Sequence, residues 1–126
     1  MQAGRPAIIE REAVQLSETE LTARVFRALG DATRLRILRL LLNEGELHQM
    51  EIVRRLGATQ ARISEHMTCL IWCGFVFTRT EGRRNLYRVA DPRVAKLVEM
   101  AQSLLEDNQA QIASCRTSAR AEREQL

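Results

Sequence analysis

From Ser17 onward, apolar positions recur at helical spacing in four successive blocks, each followed by a glycine. In the first, "SETE" at Ser17–Glu20 is a capping box, with Leu21, Val25, Phe26 and Leu29 on one face and Gly30 at the end. Asp31 then caps a helix that carries Leu35, Ile37, Leu38 and Leu41 through Leu42, with Asn43-Glu44-Gly45 as the breaker. A short third helix runs from about His48 to Leu56 and stops at Gly57. Thr59 opens the fourth, whose inward stripe is Ile63, Met67 and Leu70 and which ends at Gly74. The period then changes. Phe75–Thr78 suits a strand, Glu81-Gly82-Arg83 a turn, and Leu86, Tyr87 and Val89 the returning strand. Asp91-Pro92 starts a last helix, with Val94, Leu97, Val98, Ala101, Leu104 and Leu105 as its apolar stripe.

This order predicts a mainly α fold with a small β-hairpin, a winged helix-turn-helix whose tight turn lies at Gly57-Ala58. The expected organisation is a loose arm over 1–16, the winged domain over 17–110 and a polar tail over 111–126. At 126 residues the chain suits one domain with a limited core, so a partner chain is expected. The longest apolar run, around Cys69 to Phe77, falls well short of the ~20 residues that span a membrane. The N-terminal stretch carries acids and no sustained apolar core. Both features predict a cytoplasmic protein without a secretory signal.

Charge sharpens the picture through its position. The net charge is only +3. Between residues 53 and 93, however, stand Arg54, Arg55, Arg62, Arg79, Arg83, Arg84, Arg88 and Arg93 against only Glu65, Glu81 and Asp91. In a helix-turn-helix the second helix enters the major groove and its first turns meet base edges. Here those turns carry Thr59, Gln60, Arg62, Ser64, Glu65 and His66. Gln60 suits adenine and Arg62 guanine, while Thr59 and Ser64 suit phosphate or base contacts. Arg79, Arg83 and Arg84 on the hairpin are the candidate wing contacts.

Three cysteines remain to be explained. An odd number with no spaced framework disfavours a disulfide-stapled secreted fold. "MTCLIWCG" sets Cys69 and Cys73 one helical turn apart, with Cβ atoms about 6 Å from each other. Both lie at the edge of the inward stripe. Two thiolates so placed can share one large soft cation, and Cys115, among polar neighbours in the tail, is the candidate third ligand. Three sulfurs fit a closed four-coordinate zinc site poorly. Free cysteine is also a common small core residue, which is the plain alternative for Cys69 and Cys73.

"FRALGDATRLRILRLLL", "ATQARISEHMTCL" and "GFVFTRTEGRRNLYRVAD" resemble the ArsR/SmtB family of bacterial metal-responsive repressors over roughly residues 20–105. The resemblance implies a homodimer joined through its first and last helices and a palindromic operator. Within that family, "MTCLIWCG" with a distal cysteine is similar to the CmtR-like, cadmium/lead-sensing subgroup, and implies Cys69, Cys73 and Cys115 as metal ligands. Other family sites do not fit. His48 and Met50 stand where many members carry Cys-x-Cys, and no histidine follows His66.

The implied protein is a repressor released from DNA by a soft divalent ion, cadmium or lead, with mercury(II) or arsenite as alternatives. A thiol redox switch on the same fold is a rival, although a disulfide within one helical turn is strained. A metal-buffering or interaction module without DNA binding is a rival of another class. No nucleophile–base pair or phosphate-cradling glycine loop argues for an enzyme.

Overall fold

The computed structural model describes residues 15–117, 120 and 122; the expected arm over 1–16 therefore lies almost wholly outside the described residues. The chain forms two compact units that divide after Asp91. The first contains helix α1 (Glu18–Leu29), α2 (Ala32–Glu44), strand β1 (Leu47–His48), α3 (Gln49–Leu56), α4 (Gln60–Trp72), β2 (Val76–Glu81) and β3 (Arg84–Val89). The second is built on α5 (Pro92–Ala113).

Local chemistry sets most helix ends. Ser17 Oγ accepts the Glu20 N–H at 3.0 Å, Asp31 Oδ2 accepts the Arg34 N–H at 2.9 Å, and Thr59 Oγ1 accepts the Arg62 N–H at 3.2 Å. Each contact satisfies a backbone donor that a helix start leaves open. Gly57 ends α3 at φ 67°, a left-handed conformation that L side chains adopt only at a cost, and so makes the tight turn into α4.

The inward stripe of α4 is as the spacing predicts, with Ile63, Met67 and Leu70 fully buried. They join Ile37, Leu38, Leu41 and Ile52 as the fully buried large side chains. Burial of each such side chain is worth about 1.5–3 kcal/mol. The inner face therefore holds α4 in place and leaves its outer face open to other duties.

Five features differ from the sequence reading. The hairpin belongs to a three-stranded antiparallel sheet, ordered β1-β3-β2, because Leu47 and His48 pair with Tyr87 and Leu86. With His48 taken into that strand, α3 begins at Gln49. Helix α2 continues past Leu42 to Glu44 and breaks only at Gly45. Helix α4 ends at Trp72, with Cys73 as its cap, still in right-handed geometry and donating its N–H to Cys69 O at 3.0 Å. Phe26, expected on the covered face of α1, is 62% exposed, and Ala28 is that helix's buried residue.

The turn between β2 and β3 spans Gly82 and Arg83, with Glu81 opposite Arg84. Gly82 has φ 63°, the positive value that short hairpin turns need at their first central position. On α5, Val94 and Val98 are buried, whereas Met100, Leu104 and Ile112 are exposed. Asn108 leaves helical geometry (φ −128°, ψ 24°) and donates through Nδ2 to Leu104 O at 3.0 Å. The helix resumes to Ala113, three residues beyond the boundary expected at 110.

Candidate nucleic-acid interface and thiol pair

The outer face of α4 presents Gln60, Arg62 and Glu65 to solvent. The other residues named for this surface have structural partners. The Thr59 hydroxyl caps the helix. Ser64 Oγ accepts from Gln49 Nε2 at 2.5 Å, and Gln49 Oε1 in turn accepts from the Tyr87 hydroxyl at 3.0 Å.

The His66 side chain is largely buried. Its Nδ1 lies 3.3 Å from Arg34 Nη1 and 3.7 Å from Asp31 Oδ2. The Arg34 guanidinium also donates to Ala28 O at 2.6 Å and Arg27 O at 3.2 Å, closing the end of α1. Burial holds the His66 imidazole below its ordinary pKa; the charges of Arg34 and Arg62 push the same way, against Asp31 and Glu65. A neutral ring is what allows Nδ1 to accept from Arg34.

The wing arginines divide. Arg79 forms a fork with Glu46, Nε to Oε2 at 2.8 Å and Nη2 to Oε1 at 2.6 Å, and adds Glu81 at 3.3 Å. The Arg79 hydrogen bond is the main cause that holds the Glu46 carboxyl below its usual range. Arg55 pairs with Glu44 and Glu51, and Arg54 also pairs with Glu51. Arg88 lies over the Phe77 ring, 4.4 Å from its centre. Arg62, Arg83 and Arg84 are exposed and, among the described residues, form no salt bridge.

Arg83 and Arg84 meet the start of the reading helix across one cleft. It measures about 640 Å³ and is lined by Gln49, Met50, Arg54, Gln60, Arg83 and Arg84, with neighbouring residues of α3 and the wing. The start of the reading helix and the tip of the wing thus border a common cationic groove. Charge so placed suits the phosphate backbone, and the amide of Gln60 suits a base edge. Sequence reasoning missed Gln49, Tyr87, Asp31 and Arg34 as parts of this region. Their partners lie far along the chain, and no short-range spacing marks them.

At the other end of α4, Cys69 and Cys73 are both half-buried beside the fully buried Leu70, and the intervening Trp72 is 47% exposed. Cys69 is a free thiol. Two sulfurs on one helical turn fit a soft cation as the start of a site, not as a complete one. Cys115 is exposed and follows the end of α5. Among the described residues, no group of three or more His, Cys, Asp or Glu side chains is gathered in a way that holds a metal. None of the described helices is long and apolar enough to cross a membrane.

Comparison with known proteins agrees with this geometry. Residues 31–77, from the cap of α2 into the wing, match the family model described as bacterial regulatory protein, arsR family. A protein of Streptomyces lividans named probable mercury resistance operon repressor is 44% identical over 102 residues, which cover 81% of this chain and 81% of that protein. The regulator CmtR of Mycobacterium tuberculosis is 42% identical over 84 residues, 66% of this chain and 70% of its own. The NMR structure of that cadmium metal-sensor superposes with a TM-score of 0.52 at 40% identity over 62% of this chain and 80% of that one. A homodimeric winged helix-turn-helix DNA-binding domain of Mycobacterium bovis superposes with a TM-score of 0.64 at 32% identity, covering 73% and 89% of the two chains. A cationic reading head on this fold and relatives that share most of its length lead to one conclusion: the chain belongs to the arsR family of bacterial regulatory proteins.

Proposed function

We propose that this protein is a metal-responsive transcriptional repressor. It acts as a homodimer joined through α1 and α5, and it holds a two-fold operator through Gln60, Arg62 and Glu65 of α4 and Arg83 and Arg84 of the wing. A soft ion held by Cys69, Cys73 and Cys115 weakens that grip. The observation that carries this reading is the economy of α4. One helix exposes Gln60, Arg62 and Glu65 on its first turns and carries a thiol pair at its end.

The exposed Phe26, Met100 and Leu104 supply the apolar surface for the dimer. On this reading the repressing unit spans 17–110, between an arm over 1–16 and a tail over 111–126 that brings Cys115, and the protein works in the cytoplasm. Thiolate ligands select soft ions, and a trio of them leaves zinc without its usual fourth partner. Cadmium or lead follows from the similarity to CmtR. Mercury(II) is the second reading, favoured by the mercury-named relative, which shares more of this chain. Coupling between the two sites is reciprocal, so operator DNA weakens ion binding by the same factor, typically about 5–150-fold.

The test follows the fluorescence anisotropy of labelled operator on the reduced dimer while cadmium, lead, mercury(II) or zinc is added. A soft ion releases DNA from the wild type, and Cys69→Ser, Cys73→Ser and Cys115→Ser each blunt the release. Release by oxidant alone replaces the metal reading with the redox switch. Serine variants that respond like wild type remove the cysteines from the mechanism.

A further inference from the structure

The hydrogen-bonded chain Tyr87–Gln49–Ser64 joins three elements, β3, α3 and α4. Tyr87 lies on β3, the central strand of the sheet, and is buried. Its hydroxyl donates to Gln49 Oε1 at 3.0 Å, and Gln49 Nε2 donates to Ser64 Oγ at 2.5 Å. Gln49 is the first residue of α3 and also lines the cleft bordered by Gln60 on one side and by Arg83 and Arg84 on the other. The wing tip is the far end of a narrow ribbon, in which only the Gly82-Arg83 turn joins β2 to β3.

We propose that Gln49 is a positioning residue that sets the distance between the wing arginines and the reading helix, so that base and phosphate contacts form together. The inference rests on the DNA-binding reading. A single side-chain amide serves both partners at once, one hydroxyl at each end, and so ties the sheet to α4. Contacts held at the correct spacing reinforce one another by raising effective concentration. Loosening the brace leaves each contact possible and removes their cooperation.

The experiment is a double-mutant cycle in DNA binding. The wild-type protein first enriches a duplex from a random-sequence pool, and that duplex, labelled, is the probe. Tyr87→Phe removes one hydroxyl without changing charge or aromatic volume. The expected result is several-fold weaker binding, with the Arg83→Ala/Arg84→Ala pair costing clearly less in the Tyr87→Phe background than in wild type. The relay residues and the wing arginines then couple although, among the described residues, no hydrogen bond joins them directly. If Tyr87→Phe lowers the melting temperature and the arginine substitutions cost the same in both backgrounds, the chain is only a structural support and the proposal is overturned. Ser64→Ala repeats the cycle from the other end and decides the matter should Tyr87→Phe fold poorly. A wild type that enriches no sequence overturns the DNA-binding reading, and the brace with it. Enrichment followed by additive variants overturns the brace alone.

Discussion

Arg79 and the Arg83–Arg84 pair occupy one hairpin and stand in opposite circumstances. Arg79 is held in a fork by Glu46 and touched by Glu81, so its charge is already neutralised. Arg83 and Arg84, at the turn, face the cleft that they share with Gln60. Counted along the sequence the three are equivalent. The difference teaches that charge available to DNA is not the charge counted in a window. Glu44, Glu46 and Glu51 all lie outside residues 53–93, yet they pair with Arg55, Arg79 and Arg54 inside it. Exposed ion pairs of this kind add little stability. Their main effect here is to occupy Arg54, Arg55 and Arg79 with carboxylates, in contrast to Arg62, Arg83 and Arg84.

That contrast can be broken most strongly at the wing tip. Arg83→Ala/Arg84→Ala is expected to weaken operator binding roughly tenfold or more and to lower the salt slope by about two, because two phosphate partners are lost. The check is binding measured across a salt series. Gly57→Ala tests the turn that presents the reading helix to the same cleft. A Cβ there meets nothing within 4 Å, so the cost is purely that of a left-handed backbone, about 1–2 kcal/mol in urea unfolding.

Glu46→Gln is the sharpest probe of the comparison. It releases Arg79 and is expected to raise operator affinity about threefold and steepen the salt slope by about one. An unchanged slope would mean that Arg79 stands away from the phosphates whatever its partner.

His66 and Arg62, on one helix, show the same division between inward and outward roles. The folded pKa of His66 lies below the ordinary imidazole value of 6.5. Below that value the unfolded chain takes up a proton that the folded chain resists, so stability falls as pH drops from there toward the folded pKa, and is unaffected above it. Melting temperatures at mildly acid pH are expected to fall less in His66→Gln than in wild type. Arg79→Ala has the smallest effect: the salt slope stays as in wild type and the melting temperature falls only slightly, as calorimetry and the same salt series would show.

The thiol end of α4 was legible because its geometry is local. Cys69 and Cys73 are one turn apart in any helix, and the hydrogen bond between their backbones keeps that spacing although Cys73 has become the cap. The same holds for Thr59 as a cap and for the Ile63, Met67, Leu70 stripe. Ser64 and His66 show the opposite case: nothing within a few residues of either reveals that Gln49 and Arg34 hydrogen-bond to them.

The sequence by itself determined which segments are helical, which residues cap α1, α2 and α4 at their starts, and which face of α4 is buried. Those outcomes depend on capping, on glycine at positive φ and on a period of 3.6 residues, all interactions of short range along the chain. Tertiary structure alone decided that Leu47 and His48 form a third strand, that Glu46 claims Arg79, that His66 turns toward Arg34 and that Gln49 bridges Tyr87 and Ser64. Each joins residues well separated in sequence, whose meeting requires the helices and sheet to have packed first. Once a packed core brings such groups together, hydrogen bonding and charge select the partners.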